Sequence, residues 1–350
     1  MAYTTIDKPS DYFNTVLYTG NSGSNRGITG VGFQPDWVWL KTRSKANSHI
    51  LIDSVRGQER LRSNTTGGEV DVSSEFISFD TDGFTVTENA ANEMNNNSTT
   101  YANWNWKAGT SFTNDASSTG IGSIDSTGSV NTDAGFSICS FTGTGSNGTV
   151  KHGLSTAPKM IIFKNRPQAE GWIVYHQAIS NTHFLTLNTT GVAVDNATMF
   201  NDTSPTSSVF SVGSNHGTNG PSHAMIAYCF ADVKGYSKFG SYTGNGNADG
   251  TFVYTGFKVG WLMIKRTTAV DTWHLVDNKR DPHNMVEQNQ SPDTAYADNA
   301  NAVDFDFLSN GFKLRNNDNN GNNSGDTYIY MCFAENPFVT STGVPATARW

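Results

Sequence analysis

Apolar residues along this chain fall into short runs separated by Gly-, Asn-, Ser- and Thr-rich stretches, and the runs recur. Three of them end in lysine: Asp36-Trp37-Val38-Trp39-Leu40-Lys41, Lys159-Met160-Ile161-Ile162-Phe163-Lys164 and Gly260-Trp261-Leu262-Met263-Ile264-Lys265. Each is preceded by an aromatic or aliphatic opening that stops at Thr-Gly: Leu17-Tyr18-Thr19-Gly20, Ser140-Phe141-Thr142-Gly143 and Ser241-Tyr242-Thr243-Gly244. Each is followed by a second apolar run, His49 to Asp53, Trp172 to His176 and Trp273 to Asp277. An aromatic run closes each set: Tyr101 to Trp106, Met225 to Phe230 and Tyr328 to Phe333. Two of the sets share an Asn-Thr-Thr-Gly turn, at Asn64 to Gly67 and Asn188 to Gly191, and two share a hairpin-like Asp82-Gly83-Phe84 or Asn310-Gly311-Phe312. Matched positions in fixed order are the signature of a tandem repeat.

The period of the runs is that of strands. In Tyr328-Ile329-Tyr330-Met331-Cys332-Phe333 successive side chains point to opposite faces, and both faces are apolar, which predicts a central strand covered on two sides. Phe76, Ser78 and Asp80 alternate instead with Ile77, Phe79 and Thr81, as expected of a half-buried strand in an outer layer. Only Val55 to Arg62 offers a helical turn or two. The expected fold is all-β: three tandem homologous β-sandwich units of jelly-roll type, with an arrangement about a pseudo-threefold axis that would let one chain stand in for a trimer. The boundaries read as residues 1–108 for the first unit with an N-terminal arm, 109–132 for a Ser/Thr/Gly-rich linker, 133–234 and 235–337 for the second and third units, and 338–350 for a C-terminal tail. The linker reads as a flexible connector or an extended arm laid on a neighbour. Units two and three abut at Val233-Lys234-Gly235 and are expected to pack firmly.

Composition supports a folded chain. Only 15% of residues are charged, but 12% are aromatic, a content that disordered chains lack. The net charge of -8 comes with no dense Lys/Arg cluster, which argues against a nucleic-acid partner. Cys139, Cys229 and Cys332 are an odd set inside apolar runs and read as buried small hydrophobes of a chain made in a reducing cytosol. Met1 to Lys8 lacks the pattern of an export signal, and no run approaches the ~18 apolar residues of a membrane-spanning helix. No membrane insertion is expected.

Candidate chemistry is sparse. Glu69, Asp71 and Glu75 resemble the paired carboxylates of laminarinase-like β-sandwich glycosidases, but with a wider second spacing and no counterpart in the other units. Gly143-Thr144-Gly145-Ser146-Asn147-Gly148 spells a dinucleotide-binding fingerprint, but Thr149-Val150-Lys151-His152 does not begin a helix, so a turn is expected. Asn316-Asn317-Asp318-Asn319-Asn320-Gly321 resembles the opening of a calcium loop whose closing Glu is replaced by Thr327. Histidines 49, 152, 176, 183, 216, 223, 274 and 283 form no metal-ligand spacing. Trp37, Trp39, Trp104, Trp106, Trp172, Trp261 and Trp273 sit in apolar strands and are read as core. No catalytic, cofactor-binding or metal residue is therefore assigned, and no cofactor is expected. A ligand surface, if present, is expected on the Asn/Asp/Gly-rich loops.

Several stretches resemble a family of virion proteins from marine tailed bacteriophages. They are Tyr3 to Phe13, Gly32 to Trp39, Asp53 to Gly57, Ala157 to Ile162, Phe239 to Gly246, Phe307 to Leu314 and the tail Phe338 to Pro345. The resemblance covers nearly the whole chain and carries labels of tail-fibre or concanavalin-A-like lectin-fold protein. It implies a virion localisation after assembly in the host cytoplasm, and a non-enzymatic structural role on a tail fibre or other exposed appendage in contact with the host surface. It further implies other virion proteins as partners, with a host-surface glycan or receptor, and a homotrimer. Alternatives are a capsid decoration or head-fibre protein, a glycan-binding lectin-like module, and a glycoside hydrolase acting through Glu69, Asp71 and Glu75.

Overall fold

The structure is a computed structural model that describes residues 3–88, 93–300 and 302–347. The chain is all-β and its sheets are antiparallel. Three of those sheets share one strand order. In the first, Phe13–Thr19 pairs with Thr100–Trp106, which pairs with Trp37–Thr42, which pairs with Ile50–Asp53. In the second the same places are taken by Phe136–Thr142, Ala224–Phe230, Met160–Asn165 and Ile173–His176. In the third they are taken by Ser237–Thr243, Thr327–Pro337, Phe257–Arg266 and Trp273–Asp277. We call these the opening, closing, lysine and short strands. Register makes the correspondence exact to the residue: Trp37, Met160 and Trp261 of the lysine strands face Asp53, His176 and Asp277 of the short strands.

The closing strand is central in each sheet because both of its faces have something to cover. One face packs on a smaller outer sheet of the same sandwich. These outer sheets are Arg26–Ile28 with Gly83–Val86 and Phe76–Asp80, Gly148–Lys151 with Val209–Val212, and Phe252–Tyr254 with Gly311–Leu314 and Phe305–Leu308. Each sandwich thereby has its own core, around Phe84, Phe210 and Phe312. The other face points into one cluster shared by all three sheets. Trp37, Trp39, Trp104 and Trp106 meet Phe136, Tyr228 and Phe230, and both groups meet Trp261, Met331 and Phe333. Trp37 stacks on Tyr228 at 4.4 Å and Trp106 meets Trp261 edge-on at 5.8 Å, so aromatic contacts span the sandwiches. The seven tryptophans read as core are all fully buried.

Three local expectations need correction. Residues 109–132 are not a connector. Ser126–Asn131 pairs with the opening strand of the second sandwich and Thr110–Asn114 pairs with Ser126–Asn131, which widens the sheet by two strands, with the short helix Ala116–Thr119 between them. The segment reads as a linker because its strands carry Ser and Thr, which suit a solvated edge. Val55 to Arg62 is not helical. Arg56 turns inward to Asp53, and Glu59–Arg60 pairs as a strand with Val70–Asp71. In Phe76–Asp80 a register shift between Phe76 and Ser78 breaks the alternation. Phe76 and Phe79 thus reach the same core, with ring centroids 4.8 Å apart.

The chain ends lie together. Thr4 Oγ1 of the N-terminal arm donates to Lys234 O at 2.8 Å, and Ser341 N of the tail donates to Asp7 Oδ1 at 2.6 Å.

Candidate functional site

The chemistry-bearing side chains of this molecule gather where the sandwiches meet. The three lysines that mark the sequence pattern are fully buried. Each strand end delivers its ammonium to backbone carbonyls of the next sandwich. Lys41 Nζ donates to Tyr296 O at 2.7 Å, Lys164 Nζ to Thr66 O at 3.0 Å, and Lys265 Nζ to Thr190 O at 3.1 Å. The direction is cyclic: first to third, second to first, third to second. Burial pulls all three ammonium groups down to about 8. Carbonyl dipoles take the place of carboxylates as partners.

The residues at the start of the short strands repeat the pattern. Trp172 Nε1 donates to Arg62 O at 2.9 Å and Trp273 Nε1 to Thr186 O at 3.2 Å. The first sandwich has His49 there. Its Nδ1 accepts from Trp39 Nε1 at 2.9 Å, which leaves Nε2 to donate to Ser291 O at 3.0 Å.

A third layer is charged at two seams only. Asp53 Oδ2 accepts from Arg56 Nε at 2.5 Å and from the Tyr228 hydroxyl of the second sandwich at 2.7 Å. Glu69 then lies between Arg56, 3.7 Å away, and Arg166 of the second sandwich, which donates at 2.8 Å. The seam between the third and first sandwiches has the same construction. Asp277 Oδ2 accepts from Arg280 Nε at 2.5 Å and from Trp104 Nε1 at 3.0 Å. Asp298 bridges Arg280 at 3.0 Å and Arg43 of the first sandwich at 2.6 Å. Burial opposes the charge on Asp277, but Arg280 outweighs it and holds the carboxyl below its usual value. At the remaining seam all four positions are uncharged or neutral: His176, Ile179, Ala193 and Thr267. Ile179 and Ala193 pack on the shared core, and His176 Nε2 faces Tyr330 O at 3.2 Å. The backbone contact survives the change of side chains, since Glu69 N, Asp298 N and Ala193 N donate to the carbonyls of Arg166, Arg43 and Thr267.

This geometry places the other sequence candidates. Glu69 is held by arginines, Asp71 is exposed and accepts from Ser73 N, and Glu75 Oε2 lies 3.7 Å from Arg60. The structure gives these three carboxylates separate partners rather than one shared cleft. The Gly143–Gly148 stretch is a loop that leads into a strand. Asp318 accepts from Asn320 N and Asn316 Nδ2, as a polar turn does, and among the described residues no group of three or more acidic, His or Cys side chains is placed to hold a metal.

One feature escaped the sequence reading. Asn95, Asn219 and Asn322 are buried, and each sews the loop after an opening strand to the loop before a closing strand. Asn219, for example, accepts from Thr144 N at 2.7 Å and donates to Ser146 O and Gly213 O. The loop passes so close that a Cβ on Gly143 would stand 2.2 Å from Gly220 O. Gly143→Ala is expected to cost about 2 kcal/mol or more in thermal unfolding, against under ~0.5 kcal/mol for Gly27→Ala, whose Cβ meets nothing within 4 Å.

Compared with known proteins, residues 8–337 match a family described only as a domain of unknown function, DUF7483. No curated protein and no solved structure matches the chain.

Proposed function

We propose, for a chain that belongs to the DUF7483 family, a non-enzymatic structural role: a compact module of a tailed-phage virion, carried on a tail fibre or other exposed appendage. In this reading the three sandwiches are copies of one unit set about a pseudo-threefold axis, and one chain takes the place that three subunits hold in a trimeric fibre. The observation that carries the reading is the cyclic set of seam contacts, lysine to carbonyl, repeated at each junction around one aromatic core. Seams of this kind are what symmetric oligomers use between subunits. The virion placement rests on the sequence resemblance.

The expected particle partner is a structure on a threefold axis. Density of one chain on the tail appendage, in a reconstruction of the phage, is the expected result. Density confined to the head would replace this reading with capsid decoration. In solution the free chain is expected to run as a monomer of 37.9 kDa in light scattering, because the seams that a trimer would use are closed within it. A stable trimer would overturn that part of the proposal.

A further inference from the structure

We infer that the third sandwich carries a binding site for an acidic saccharide, in an open cleft beside the N-terminal arm. The correspondence between outer sheets shows where it departs from its neighbours. Val253 pairs with Phe312, as Val150 pairs with Phe210 and Ile28 with Phe84. The residues flanking these on the outward face are therefore equivalent: Gly27 and Thr29 in the first, Thr149 and Lys151 in the second, Phe252 and Tyr254 in the third. Only the third puts aromatic rings there, and it leaves them 45% and 49% exposed. Two rings at alternate positions of one strand stand ~7 Å apart on one face, an exposed aromatic surface on which sugar rings can stack.

Tyr254 also forms one wall of an open cavity of about 580 Å³. Tyr3 stands beside it, its hydroxyl 3.3 Å from that of Tyr254 and donating to Gly256 O at 2.6 Å. Lys234 Nζ lies 4.5 Å from the centroid of the Tyr3 ring, and Lys238 Nζ lies 5.5 Å from that of Tyr254 while donating to Tyr254 O at 2.8 Å. Asp232 completes the polar lining, with one oxygen taken by Phe239 N at 2.9 Å. Aromatic faces meet the C–H faces of pyranose rings, and a carboxylate receives sugar hydroxyls. Two ammonium groups against one carboxylate, in a chain of net charge -8, favour a sugar that bears its own carboxylate. An N-terminal arm folded over a neighbouring unit makes the site without touching the symmetric seams.

This inference goes beyond the structural role and is tested on the free chain, so a protein that sits on the particle but binds no saccharide would lose the inference alone. The probes are oligomers of alginate and of polygalacturonate, with maltohexaose and cellohexaose as uncharged controls, followed by isothermal titration and by chemical-shift changes. The expected result is binding of at least one oligouronate, weakened by added salt. Tyr254→Ala is expected to weaken it about 10-fold, and Lys234→Ala with Lys238→Ala to abolish its salt dependence. Circular dichroism should stay unchanged, because the side chains replaced line an open cleft and none is fully buried. Failure of both oligouronates to bind, or binding that survives Tyr254→Ala undiminished, would overturn the site. Equal affinity for the uncharged controls would overturn its acidic character.

Discussion

Replacing Asp277 by Ala is expected to lower unfolding stability in urea by about 3–5 kcal/mol, among the largest effects of any single substitution here. The carboxylate is fully buried and four donors converge on it: Arg280 Nε, Trp104 Nε1 and the backbone N–H groups of Lys279 and Arg280. Removing it leaves the Arg280 guanidinium buried with Asp298 as its remaining acid, and leaves an indole N–H of the first sandwich without an acceptor. The molecule itself contains the control. At the seam between the second and third sandwiches the equivalent positions are His176, Ile179, Ala193 and Thr267, and none of these four carries a formal charge. His176 keeps part of the aspartate's work, since its Nδ1 accepts from Ala178 N as Asp277 Oδ1 accepts from Lys279 N. The fourfold replacement Asp277→His, Arg280→Ile, Asp298→Ala and Arg43→Thr should therefore cost less than Asp277→Ala alone. Simple addition of the four single effects would show that the positions do not act as a set.

The second large effect is acid sensitivity between pH 6.5 and about 4. His49, His152 and His176 are fully buried, and burial pushes all three down, His152 and His176 to about 4. Their hydrogen bonds pull both ways: the carbonyl at Nε2 favours the charged ring, the N–H at Nδ1 opposes it, and burial outweighs the carbonyl. In each ring Nδ1 accepts from an N–H, of Trp39, Leu154 or Ala178, and Nε2 faces a carbonyl, of Ser291, Thr206 or Tyr330. A proton added at Nδ1 would meet a donor instead of an acceptor. Because the folded values lie below the unfolded value, the unfolded chain binds protons first. Stability is then complete above pH 6.5 and falls as pH drops through 6.5 toward 4, by about 2 kcal/mol each for His152 and His176 at pH 5. Asp36 and Asp293, whose carboxyls burial pushes up, act in the opposite sense, but only as the pH nears the carboxylate range. Urea midpoints at pH 7 and pH 5 measure the difference. His176→Gln should shrink it, and a midpoint unchanged between the two pH values would refute the assignment.

How much of this was legible in the residues differs by layer. The lysine-ended strands, the closing strands and the all-β class follow from alternation and from runs apolar on both faces, which are local properties. The position of Glu69 was not legible. Read beside Asp71 and Glu75 it resembled a glycosidase carboxylate and was given no role, because sequence shows its neighbours along the chain and not Arg166, which reaches it from the second sandwich. The lysine register held a usable signal. Two residues beyond each lysine stand Arg43, Arg166 and Thr267, and three beyond each short-strand end stand Arg56, Ile179 and Arg280. Charges that appear and vanish together at such offsets point to partners across a seam. The strands at 109–132 were missed for another reason: of their residues only Phe112 and Val130 are large apolar side chains on the core, one per strand, too few to show an alternation.

The meeting of the arm and the tail has a topological consequence. Three sandwiches arranged in a cycle have three junctions, yet a linear chain crosses only two of them. The third is held by Lys41, by Arg43 with Asp298, and by the contact of Asp7 with Ser341. Which junction is left uncut by the backbone is then a matter of gene order rather than of physics. Circularly permuted chains that begin at the second or third sandwich, with the present ends tied through a short loop, would describe the same solid.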